Sequence, residues 1–383
     1  MTGPSEYRRL GSLKWTGYEP DVLAAWVAEM DFGLAPAVSA SLKDAVDRGM
    51  TGYPYPYLER ETAEAATGYW SDTFGWVVDP ASVYPAPDVI AGLGRCIQHL
   101  TPPGSPVVLH TPVYFPFFSM VEDAGREIFE VPSTRGADGR FRIDVAGIDR
   151  ALSEGAGSVV LCNPWNPTGR VLTEEEIADV IEVAARHDAR VLADEVHGPI
   201  TYDSAHVPAA SIDPERVATV TAASKAWNLP GLKCAQVVLT NPADREIWEP
   251  HFTPDRVGVG SFGLVASTAA FTHGRDWLAD VLTRLDRNRA LLAETMADQA
   301  PEVVMGPVEG SYLAWLDFSA YPIDDPADFL LDRARVALSA GEPFRGDSSR
   351  FARLNFATDE VTLVAIVERI GEAVGRAKFS TDE

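Results

Sequence analysis

Between residues 106 and 241 the chain keeps returning to one pattern, in which short apolar runs alternate with stretches of helix length. The runs read PVVLHTP, EIFEVP, SVVLCNP, RVLADEV, VATVTAAS and AQVVLTN. Between the third and fourth stands TEEEIADVIEVAARHDA, amphipathic at helical spacing, with Thr173 placed to cap it and Glu176 at the capping-box position. Strands without a polar face, joined by helices, specify a mainly parallel sheet covered on both sides, because a parallel crossover needs a helix-length connection. The expected fold class is therefore α/β, with one large domain built on a mainly parallel sheet flanked by helices. Beyond Gly274 the texture changes. Residues 276–300 read as one long helix, GSYLAWLDF and FARLNFA as strands, and 359–378 as a closing amphipathic helix. That is α+β texture, so a large domain is expected at 46–274 and a smaller one at 275–383, joined by residues 1–45.

The length of 383 residues exceeds what one core usually organises, and 46% hydrophobic residues can fill two. A net charge of −24 argues against nucleic acid and against anionic membranes as partners, since both require basic surface. Three cysteines, Cys96, Cys162 and Cys234, are too few and too odd in number for a disulfide framework. No apolar signal core or membrane-length apolar run occurs, so a cytoplasmic location is expected.

In open parallel sheets ligands bind beyond the carboxyl ends of the strands. His110, Asn163, Asp194 and Lys225 stand at four such ends. Taken singly, each has an ordinary structural role: an Asp capping the next element, an Asn-Pro turn, a lysine snorkelling to the rim. Together they put an acid, an amide and a lysine on one rim. Lys225 lies in TAASKAWNLPGLK, an otherwise apolar stretch, and a lysine in such surroundings has a lowered pKa and can act as nucleophile or base. A familiar use is a Schiff base with pyridoxal 5'-phosphate (PLP), which also demands an anion for its ring nitrogen, a donor for its phenolate, an aromatic over its ring and a phosphate cup. Asp194, Asn166 and Tyr114 can meet the first three. The helix start around Asp88, Val89 and Ile90 can form the cup, with Lys233 as the cation beside the phosphate.

The motifs NPWNPTGRVLTEEEI, ADEVHGPI and SKAWNLPGLKCA resemble, in order, the amide, aspartate and lysine motifs of the fold-type I PLP enzymes of the class I/II aminotransferase superfamily. LKWTGYEPDVLAAWVAEMDF and TGYPYP are similar to segments of its MalY/PatB cystathionine β-lyase branch. The resemblance implies a seven-stranded sheet in the large domain and PLP as cofactor, with no metal. It makes Lys225 the Schiff-base lysine, Asp194 the ring-nitrogen partner, Asn166 the phenolate donor and Tyr114 the stacking aromatic. Val89, Ile90, Ser224 and His197 fall in the cofactor site, His197 where many relatives carry Tyr, and Lys233 takes the place of the usual phosphate arginine. Arg353 matches the arginine that grips the substrate carboxylate, beside Asn166 and Trp165. Tyr53 matches a residue that crosses to the neighbour's phosphate, which implies a homodimer with its active site at the subunit interface. Two positions depart from the pattern: Ala222 replaces a phosphate-binding hydroxyl, and Asp88 stands where relatives often have Gly. The branch implies a carbon–sulfur β-lyase acting on an amino acid such as cystathionine. The alternatives are an aminotransferase and, with no DNA-binding segment to support it, a PLP-binding regulator.

Overall fold

All six apolar runs form strands of one sheet in the computed structural model, which describes residues 3–256 and 258–379. A seventh strand, Val83–Ala86, completes it, and the order is Val83–Ala86, Ala235–Val238, Val217–Thr221, Arg190–Asp194, Ser158–Cys162, Val107–Thr111, Ile128–Pro132. Only Ala235–Val238 runs against its neighbours. Val83–Ala86 is hard to read from sequence because it is short and contains Pro85, a residue that a sheet tolerates at its edge, where this strand lies. Side chains of the central strands go alternately to two cores: Val159, Leu161, Val191 and Ala193 to one face, Val160, Cys162, Leu192 and Val220 to the other. Burial on both faces is why these runs carry no polar alternation.

The helix after Ser158–Cys162 spans Glu174–Arg186 and starts with the expected reciprocal cap, Glu176 N–H donating to Thr173 Oγ1 at 3.2 Å and Thr173 N–H to Glu176 Oε2 at 2.9 Å. Helix Arg275–Gln299 leads into a four-stranded antiparallel sheet, Val304–Met305, Leu313–Asp317, Phe351–Asn355 and Ser339–Ala340, and helix Glu360–Phe379 packs back on Arg275–Gln299. The N-terminal segment divides between the domains. Leu23–Ala24 pairs with Val336–Ala337 of the smaller domain. Helix Pro36–Asp47 instead packs on Ser261–His273, and its Ala45 joins Leu58, Cys234 and Leu264 in a core of the large domain. Residues 36–45 thus pack on helix Ser261–His273 and share its core.

Between these points residues 25–31 form a strap across the carboxyl edge of the large sheet. Asn355 Nδ2 donates to the carbonyls of Val27 and Glu29 at 2.6 and 2.7 Å, and Asp31 N–H donates to Ala357 O at 3.0 Å. From the large domain, Asn228 holds Met30 twice, accepting from its N–H and donating to its carbonyl, both at 2.9 Å. Beneath the strap, Lys14 Nζ and Asp31 Oδ2 form a buried ion pair at 2.8 Å, and Trp15 Nε1 donates to Asp31 Oδ1 at 2.8 Å. Two asparagines thus hold the strap by its backbone, and the ion pair anchors it through the Asp31 side chain.

Candidate active site

The strand ends, the strap and one helix start enclose a cavity of about 290 Å³. Its wall includes Asp194 and Val196, Lys225 and Ser224, Asn166, His197, Tyr114, Val89, Ile90 and Lys233. All of these except Val196 are site residues read from the sequence, and they converge on one space although they span residues 89 to 233.

Asp194 ends strand Arg190–Asp194 and is 4% exposed. Its Oδ1 accepts a hydrogen bond from Val196 N–H at 3.0 Å. Burial pushes the carboxyl up to about 7, against the opposing pulls of that N–H and of Lys225. A carboxylate held in so dry a place calls for a cation. Lys225 follows strand Val217–Thr221 by four residues, and its Nζ donates to Ala28 O of the strap at 3.1 Å. Burial, helped by repulsion from Arg353, brings the ammonium down to about 8, while Asp194 and Glu29 hold it up. An amine in that range is poised for proton transfer near neutral pH.

Asn166 presents its side chain between the cavity and Arg353, its Oδ1 accepting from Arg353 Nη1 at 2.9 Å. With the carbonyl so occupied, the amide N–H groups are left for a ligand oxygen. Arg353 is 3% exposed; its Nη2 donates to Trp26 O and Ser339 Oγ, each at 3.1 Å, and its Nε has no acceptor. The hydrogen-bond partners of this buried guanidinium are all neutral, and burial brings it down to about 10. An uncompensated buried cation next to the cavity is a ready partner for a small carboxylate.

The helix Val89–Leu100 points its first turn at the cavity. Asp88 caps it, Oδ1 accepting from Ala91 N–H at 2.8 Å, which leaves the Val89 and Ile90 amides without an intrahelical acceptor. Lys233, in the left-handed conformation at φ 53°, pairs with Asp88 Oδ2 at 2.7 Å. The pair sets an acid and the Lys233 ammonium side by side at the helix start, each offsetting the other's charge. Ala222 has no hydroxyl, but Ser224 brings one to the same cavity wall. His197 is buried, its Nδ1 3.1 Å from Ser311 Oγ, and burial with the nearby Lys225 and Arg353 cations keeps its pKa far below the usual value, so the ring is neutral. Burial also raises the Tyr114 phenol, which therefore stays protonated.

One expected contact is not made in this chain. Trp165 is wholly buried away from the cavity, its Nε1 donating to Pro112 O at 2.8 Å and its ring 4.5 Å from His110. Both residues lie in the turn beyond strand Ser158–Cys162, where Trp165 bridges to Arg170 and joins the core while Asn166 reaches the cavity. Tyr53 is 85% exposed before helix Pro56–Phe74 and touches no part of the cavity of its own chain. Two strand-end candidates are structural: Asn163 accepts from Leu172 N–H at 2.9 Å, and His110 is buried, with burial bringing its pKa to about 3. Ala28, Cys162 and Val196 also line the cavity, though the motifs that contain them give them no role there. Val196 was within reach of the alternation rule, two residues past Asp194; Ala28 carries no side-chain signal at all.

The donor set fits PLP on its own terms. A buried carboxylate short of a cation, an amide with free N–H groups, a lysine and two open helix amides surround one cavity. A sequence-family model, aminotransferase class I and II, matches residues 27–370. The chain is 36% identical to a cystathionine β-lyase of Corynebacterium glutamicum, covering 96% of this chain and 98% of that one. It is 32% identical to the cystathionine β-lyase PatB of Bacillus subtilis, with the same coverage of each. Its fold matches the crystal structure of a candidate PLP-dependent β-cystathionase from Corynebacterium diphtheriae with a TM-score of 0.92, 35% identity and 98% of both chains covered. The fold, the cavity and these likenesses converge: the chain belongs to the aminotransferase class I and II family, with the fold of type I PLP enzymes and pyridoxal 5'-phosphate as its cofactor.

Proposed function

We propose that the protein is a carbon–sulfur β-lyase that cleaves L-cystathionine or a related L-cysteine S-conjugate, with water, to a thiol, pyruvate and ammonia. The observation that carries this reading is the near end-to-end match to proteins named cystathionine β-lyase, at 36% and 32% identity, which includes the lysine, aspartate and amide segments around the cavity. When bound, PLP supplies the electron sink that makes the amino-acid Cα–H acidic. Asp194 holds the protonated ring nitrogen, Asn166 donates to the phenolate oxygen, and Tyr114 covers the ring. Val89, Ile90, Ser224 and Lys233 receive the phosphate.

Arg353 takes the substrate carboxylate, which supplies the anion its buried guanidinium lacks. Lys225 then accepts the Cα proton. The lyase outcome depends on alignment: the sulfur leaves Cβ as thiolate when the Cβ–S bond lies parallel to the breaking Cα–H bond, and the Arg353 grip on the carboxylate sets the rotation about N–Cα that aligns Cα–H. Ala28, Val196 and Cys162 make the wall apolar around these groups, which excludes water from the proton held on Lys225.

The same Lys225 and Asp194 serve transamination equally well, and the family model covers aminotransferases. The test is release of thiol from L-cystathionine by purified, PLP-loaded protein with no 2-oxo acid present. Sustained release supports the lyase. Consumption of L-cystathionine that needs a 2-oxo acid and frees no thiol turns the assignment to aminotransferase. We propose further that the functional unit is a homodimer in which the exposed Tyr53 enters the partner's phosphate site. No helix among the described residues is long and apolar enough to cross a membrane, and we place the enzyme in the cytoplasm.

A further inference from the structure

The strap carbonyl that receives Lys225 has a second donor. Tyr312, 0% exposed, directs its hydroxyl to Ala28 O at 3.0 Å, while Lys225 Nζ approaches the same oxygen at 3.1 Å. Both lone pairs of this carbonyl are therefore engaged, one from the small domain and one from the large. The remaining bonds to the strap reach other residues: Asn355 holds Val27 and Glu29, and Asn228 holds Met30. Among the described residues, Tyr312 is thus the small-domain side chain that fixes Ala28 itself. It lies just before strand Leu313–Asp317 and its ring meets His197 edge-on at 5.8 Å, so the hydroxyl is aimed from a rigid element.

We propose that Tyr312 is a positioning residue for Lys225, acting through the Ala28 carbonyl. When the Cα–H bond of a substrate breaks, its proton passes to the Nζ lone pair and the bonding electrons stay with Cα. The new ammonium carries three N–H groups, and Ala28 O accepts one of them. That contact fixes the rotation of the lysine head and keeps another N–H facing the substrate. Tyr312 fixes the carbonyl, so losing its hydroxyl lets the acceptor drift and the lysine lose its heading. The proposal rests on Lys225 being the base, and it holds for lyase and aminotransferase alike.

The experiment is wash-in of deuterium at the Cα of L-alanine by PLP-loaded enzyme in D2O. Alanine has no leaving group at Cβ, so exchange reports on Lys225 whether the enzyme is a lyase or an aminotransferase. Tyr312→Phe should exchange about three- to tenfold more slowly, the rate equivalent of one neutral hydrogen bond. The alanine concentration for half-maximal exchange and the visible spectrum of the bound cofactor should not change. Tyr202→Phe is the control: its hydroxyl donates to Ser311 O at 2.6 Å, one residue away, and does not touch the strap. It should exchange at the wild-type rate. Wild-type exchange in Tyr312→Phe overturns the positioning role, as does an equal slowing in Tyr202→Phe, which would mean general loosening. A wild-type enzyme that exchanges no deuterium overturns the base assignment of Lys225, and this proposal falls with it.

Discussion

Asp194→Asn should make the cofactor-free protein more stable while destroying its activity. The carboxyl is 4% exposed and its pKa rises from 3.8 to about 7 in the fold, chiefly by burial. Its neutral form is thus the one the fold favours. Below about pH 4 the group is protonated in folded and unfolded chains alike and costs nothing. As pH rises towards 7 the unfolded chain ionises while the folded one resists, so stability is progressively lost. At 1.36 kcal/mol per tenfold change, the full elevation is worth about 4 kcal/mol above pH 7. Asn keeps an oxygen for the Val196 N–H but leaves Lys225 without the anion that raises its pKa, which offsets part of the gain. A net stabilisation of about 2 kcal/mol remains near pH 8, and the burial cost itself falls by about half near pH 5.5. Urea unfolding of the two cofactor-stripped proteins at both pH values measures this directly. An Asp194→Asn protein that is equally or less stable than the wild type near pH 8 would refute the claim that Asp194 is held there against its own solvation. With PLP present the order should reverse, because only the carboxylate can hold the ring nitrogen's proton.

Lys225→Ala should bind PLP without the borohydride-reducible link that the wild type forms; a retained reducible link would move the attachment to another lysine. Arg353→Ala should lower kcat/KM by about ten- to a hundredfold, mostly through KM, as expected for a charge-assisted hydrogen bond, while the cofactor spectrum is retained; an unchanged KM would remove Arg353 from the substrate site. Lys14→Met should cost about 3–5 kcal/mol in urea unfolding, because Asp31 would be left buried and unpaired beneath the strap; a loss under about 1 kcal/mol, no more than a surface pair is worth, would mean the pair is dispensable.

Side-chain chemistry at strand ends was readable because apolar runs announce where strands stop. Asp194, Asn166 and Lys225 follow that rule, and the cavity gathers all three. Asp88 and Lys233 look like separate oddities along the chain, and their 2.7 Å pairing needs three dimensions. Trp165 lies in the turn beyond strand Ser158–Cys162, where no strand period says which way a side chain faces, and it packs into the core. The strap was the least legible part. Its contribution is made by main-chain carbonyls, so Ala28 has nothing in its side chain to mark it, and Tyr312 lies 284 residues away from the carbonyl it holds. Residues 1–45 offer no pattern that tells Leu23–Ala24, paired with Val336–Ala337, from helix Pro36–Asp47, packed on Ser261–His273.

Pyruvate yield per active site from L-cystathionine, with no 2-oxo acid added, tests the central claim most directly. A β-lyase regenerates its cofactor in every cycle, so pyruvate and ammonia should accumulate in equal amounts over many turnovers, with Lys225→Ala as the blank. Turnover that halts after about one equivalent and resumes only when a 2-oxo acid is supplied would contradict the lyase account and establish an aminotransferase.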